Sequence, residues 1–146
     1  MVARTLPLLL PLLVACYEGI QPPLSDPAPE IQALLDQSAG AWNAGNLDGF
    51  LITYARDSAT TFLTVNGMTR GFDAIRGRYA PRFEPGATRD SLRFAEVEVR
   101  ALTPDWALVT ARYVLERGDS VTATGPFTVV MQRRREGWRM IHDHTS

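Results

Sequence analysis

His142 and His144 are the only imidazoles in the chain, and they stand two residues apart near its end. An imidazole titrates close to neutral pH, so either can serve as a general acid or base, and a pair at i, i+2 can share a metal ion. A zinc site needs three or four protein ligands, and the sequence supplies no third histidine. The pair therefore reads as an acid–base or ligand-contacting site, with no metal and no cofactor expected. The alternative is a hydrogen-bonded structural pair at a sheet end, with Asp143 capping a neighbouring group.

A strand over Gly137–Ser146 would position them. Side chains alternate across a strand, so Trp138, Met140, His142 and His144 share one face, and Arg139, Ile141, Asp143 and Thr145 the other. Parity predicts that both histidines face a pocket beside Trp138, and that neither pairs directly with Asp143. Trp42, Tyr54, Phe62, Tyr79, Tyr113 and Trp138 are the candidates to line that pocket. Arg112 is expected to point outward, and Ser38 and Thr110 to face solvent.

The rest of the chain is read for what carries this strand. Its 146 residues fit one domain, and 45% hydrophobic with 21% charged residues is ordinary for a globular protein. A net charge of −1 gives no electrostatic footprint for nucleic acid, and Arg133-Arg134-Arg135 reads as a solvated strand end. The N-terminus reads separately. Arg4 precedes an apolar run, Leu6 to Val14, that is too short to span a bilayer, and Leu13-Val14-Ala15-Cys16 matches a bacterial lipobox. Cys16, the only cysteine, is the expected lipid attachment point. Tyr17 after it implies the periplasmic face of the outer membrane. Residues 1–15 are then a signal peptide, residues 16–27 a proline-rich tether, and residues 28–146 the domain.

Asp26-Pro27 can start a helix that presents Ile31, Leu34, Leu35, Ser38, Ala41 and Trp42 on one face. Gly45 can end it, and Asn46 can cap a second helix carrying Leu47, Phe50, Leu51 and Tyr54. Ala59–Val65 is β-like, Asn66-Gly67 is a hairpin turn, and Phe72–Phe83 reads as a third helix. Strands follow over Leu92–Leu102, Trp106–Glu116 and Val121–Arg133, with a bulge or bend expected at Gly125-Pro126. Helices come first and a meander last, which predicts an α+β layer with helices on one sheet face.

This order resembles the nuclear transport factor 2-like fold, three N-terminal helices packed on a strongly curved antiparallel sheet to form a cone. Trp42-Asn43-Ala44-Gly45-Asn46-Leu47-Asp48-Gly49-Phe50 and Gly71-Phe72-Asp73-Ala74-Ile75-Arg76 are similar to signatures of its SnoaL-like and ketosteroid isomerase-like branch. The closing strand is similar to that of SnoaL-like families, and also to the calmodulin-dependent kinase II association domain. The resemblance covers about residues 28–146. It implies a homodimer and a ligand-sized cone. Carried over from ketosteroid isomerase, the helix-one tyrosine falls at Ser38, the base at Phe62 or Leu63, and the second oxyanion acid near Thr128 to Val130. None of these is the required residue, so that isomerisation is not expected. The sequence thus predicts an envelope-anchored domain that binds a small apolar or amphipathic ligand without catalysis. The alternative is an isomerase, cyclase or hydratase using His142 or His144.

Overall fold

The computed structural model describes residues 25–146. The leader, Cys16 and most of the tether lie outside the described residues. Helix α1 spans Ala28–Asn43. Pro27 occupies its N-cap, so the helix starts one position later than the sequence suggests, and the Asp26 carboxylate accepts the Ala28 N–H at 2.9 Å. Ile31, Leu35, Ser38, Ala39 and Trp42 form its buried face. Gly45 turns the chain at φ 75°, and the Asn46 side chain accepts the Gly49 N–H at 2.9 Å to start α2, Leu47–Phe50. A 3₁₀ turn over Leu51–Thr53 follows.

Strands β1, Thr61–Thr64, and β2, Gly67–Arg70, form the first hairpin. Helix α3 covers Phe72–Tyr79 and continues as a 3₁₀ turn, Ala80–Phe83. The meander comprises β3, Ser91–Thr103, β4, Trp106–Arg117, β5, Ser120–Arg134, and β6, Gly137–Thr145. The sheet runs β2-β1-β6-β5-β4-β3. It is mixed rather than wholly antiparallel, because β1 pairs with β6 in parallel. The closing strand is thereby central, between β1 of the first hairpin and β5 of the meander.

Bulges curve this sheet. In β3 one extra residue lies between Ala95 and Glu98, where Glu96 adopts φ 54°. The insertion changes phase, so Leu92 and Phe94 on one side of it and Val97 and Val99 on the other all pack toward the core. In β5 the irregularity lies opposite Leu115–Glu116, not at Gly125-Pro126, where the register runs on unbroken. Gly125 has another reason to be glycine: a Cβ there would collide with the Ser146 carbonyl and the Tyr113 ring.

The helices cover the concave face. The Asn43 side chain accepts the Leu92 N–H at 2.7 Å and donates to the Leu92 carbonyl at 3.0 Å, so the end of α1 bonds to the start of β3 as a strand would. Trp42 Nε1 donates to the Asp90 carbonyl at 2.8 Å, and its ring meets Phe50 and Phe83 edge-on at 5.0 and 5.2 Å. Arg133 and Arg134 do not form a free basic run; they pair with Glu30 and Asp57. Arg112 points outward and pairs with Glu96.

Candidate functional site

Met140 and Ile141 are consecutive apolar residues in β6, and between them the strand changes neighbours. The Met140 carbonyl accepts the Ala55 N–H at 2.9 Å, whereas His142, Asp143 and His144 pair with Thr61, Phe62 and Leu63 of β1. Against β5, Met131 faces Met140 but Val130 faces His142, so Ile141 is an extra residue. This bulge inverts the parity of all that follows. Trp138 and Met140 point inward; so do Asp143 and Thr145.

The expected histidine site is therefore corrected. His142 is half-buried on the outer face, with Nδ1 2.7 Å from the Thr61 hydroxyl, and His144 is exposed; neither lines the cavity. Trp138 is buried in the core with the Arg133 guanidinium over its ring, and it does not line the cavity either. Trp42, Tyr54, Phe62, Tyr79 and Tyr113 do line it. Ser38, expected in solvent, is buried against the cavity and donates to the Phe50 carbonyl at 2.7 Å. Thr110 is exposed.

Asp143 is the residue that parity hid. It belongs to a cross-strand row of Val99, Val109, Val129, Asp143 and Phe62, a lone carboxyl among apolar neighbours. Tyr54 donates to its Oδ2 at 2.5 Å and Thr145 to its Oδ1 at 2.8 Å. These bonds and the nearby histidines favour the carboxylate, but loss of hydration dominates and raises the pKa above its ordinary value. Burial, reinforced by Asp143, raises Tyr54 well above the usual phenol range and Tyr79 likewise. The phenols thus stay protonated and act as donors.

These groups open on a cavity of about 520 Å³. Its walls are mainly apolar and rich in aromatic rings, with Phe62 and Tyr79 stacked at 5.8 Å and Phe50 meeting Tyr79 edge-on at 4.9 Å. A carboxyl with two phenols in such a space can hydrogen-bond one polar group of an otherwise apolar guest, or exchange a proton with it. Among the described residues no three His, Cys, Asp or Glu side chains gather as a metal site.

A family model described as a SnoaL-like domain matches residues 31–146. No curated protein matches the chain. Among solved structures, an NTF-2-like protein of unknown function from Shewanella oneidensis is similar at 25% identity and TM-score 0.75, over 83% of this chain and 99% of that one. An NTF2-like protein of unknown function from Pseudomonas putida shares 22% identity at TM-score 0.68, over 85% of this chain and 89% of that one. A putative calcium/calmodulin-dependent protein kinase type II association domain from Thiobacillus denitrificans shares 24% at TM-score 0.66, over 86% and 98%. The last two likenesses are of fold alone.

Proposed function

Since the chain belongs to the SnoaL-like domain family, whose fold hosts both binders and enzymes, we propose that its cone binds a compact, largely apolar small molecule. The observation that carries this reading is the buried carboxyl of Asp143, held by Tyr54 at the wall of an aromatic cavity. One polar group of the guest meets Tyr54, Tyr79 and Asp143, and the rings pack its body. Titration calorimetry with 2-naphthol, a neutral aromatic alcohol, tests it. Saturable binding at one site per chain is expected. Ala123→Trp, at an exposed position on the cavity wall, should abolish it. Binding that survives this blockade, or no binding of 2-naphthol at all, counts against the cavity as the site.

The raised Asp143 pKa favours a second reading on the same geometry, an isomerase, cyclase or hydratase in which Asp143 rather than a strand histidine moves the proton. In that case Asp143→Asn loses turnover while keeping ligand affinity. The Leu13-Val14-Ala15-Cys16 box supports a further part of the proposal, anchorage at the outer membrane through lipid on Cys16. Acyl mass on an N-terminal Cys16 peptide from cells is the expected result.

A further inference from the structure

Among the described residues the charged side chains of the cavity wall are Asp143 and a pair of arginines, Arg78 and Arg82. The arginines lie four residues apart across the junction of α3 with the 3₁₀ turn that follows, a spacing that brings two side chains to one side of a helical segment. Both residues are exposed, so they stand at the opening, whereas Asp143 is buried. Arg78 lies over the Phe62 ring at 5.0 Å and donates to the Thr64 hydroxyl at 3.3 Å, which holds it beside the aromatic wall. Both cations are near enough to favour ionisation of the Tyr79 phenol, against its burial. Among the described residues neither guanidinium pairs with a carboxylate, unlike Arg76 of the same helix, which pairs with Asp48. Their cationic donors are thus available to a guest at the opening.

We propose that the ligand is an amphipathic organic anion: its negative group lies between Arg78 and Arg82, its apolar body along Phe62 and Tyr79, and a neutral hydroxyl or carbonyl at Tyr54 and Asp143. The orientation follows from the charges. An anion at the inner end would be desolvated and would face the Asp143 carboxyl, while at the opening it meets two guanidiniums and keeps part of its water. This proposal rests on the cavity reading above and names the class of its guest.

The test compares 6-hydroxy-2-naphthoate with its uncharged methyl ester by titration calorimetry, on the protein and on an Arg78→Gln, Arg82→Gln double variant. Both positions are exposed, so the variant keeps its fold. The acid should bind about tenfold more tightly than the ester, and added salt should narrow the gap. In the double variant the acid should fall to the ester's affinity, with 2-naphthol binding unchanged. Acid and ester binding alike, or discrimination that persists in the double variant, overturns the proposal while leaving the cavity reading standing. If acid, ester and 2-naphthol all fail to bind, both fall together.

Discussion

Asp143 shares its cross-strand row with three valines and a phenylalanine, so its charge has almost no water to lean on. Its pKa is raised by that burial from a reference of 3.8, and the sign of the consequence is definite. Above pH 3.8 the folded state holds more protons than the unfolded one, so this residue makes stability fall as pH rises through the folded pKa. Asp143→Asn removes the ionisation but keeps an acceptor for Tyr54. The variant should therefore gain thermal stability relative to the parent as pH increases, with the gain vanishing in acid below the ordinary carboxylate range. Melting curves from about pH 3.5 to pH 8 measure it; a difference that does not change with pH would show that the carboxyl carries no such penalty. The aromatic walls were legible in the sequence because Trp42, Tyr54 and Tyr79 recur at helical spacings or helix ends, where aromatics pack. Asp143 was not, because a carboxyl flanked by two histidines reads as solvent-facing when alternation is assumed to run unbroken.

At the scale of the element, that alternation fails at several inserted residues, and two of the failures serve the cone. Ile141 lets β6 leave the Tyr54–Ala55 segment and take β1 as its neighbour, while Glu96 bends β3 around Phe94. A sequence shows such an insertion only faintly, as the doublet Met140-Ile141 where a half-buried strand should alternate. Gly125-Pro126 is the louder signal and misleads, since Gly125 answers to crowding by Tyr113 and Ser146 rather than to a bend. Glu96 offers a direct check of the bulge. Its φ of 54° lies in the left-handed region, where a β-branched residue is strongly disfavoured. Glu96→Val should be less stable than Glu96→Gly by about 1–2 kcal/mol, despite valine's preference for strands. Both variants lose the same exposed pair with Arg112, so the difference between them isolates the backbone. Denaturant unfolding reads it, and a valine variant at least as stable as the glycine one would mean that the bulge is not held in solution.

At the scale of the molecule, the order of helices and strands pointed to helices on one face of a sheet, and the family resemblance carried by that order implied the cone. What that order could not show is that β1 enters the sheet beside β6 and makes the last strand central. The arrangement leaves the convex face uncovered by the described residues. Across it runs a row of Arg100, Leu108, Val130, His142 and Thr61, next to the row that carries Asp143. Leu108 and Val130 are only half-buried there, and Val114, four residues along β4 from Thr110 on the same side, is buried. A second copy related by a twofold axis would cover this apolar strip while its charged flanks stay at the rim. The expected outcome is that a soluble Cys16→Ser form sediments as a dimer at micromolar concentration. Leu108→Asp with Val130→Asp should yield a folded monomer, because both side chains already touch solvent and a charge there costs the isolated domain little. The same variant should still bind 2-naphthol, since neither residue lines the cavity. A parent protein that sediments as a monomer, or a double variant that stays dimeric, would place the contact elsewhere or remove it.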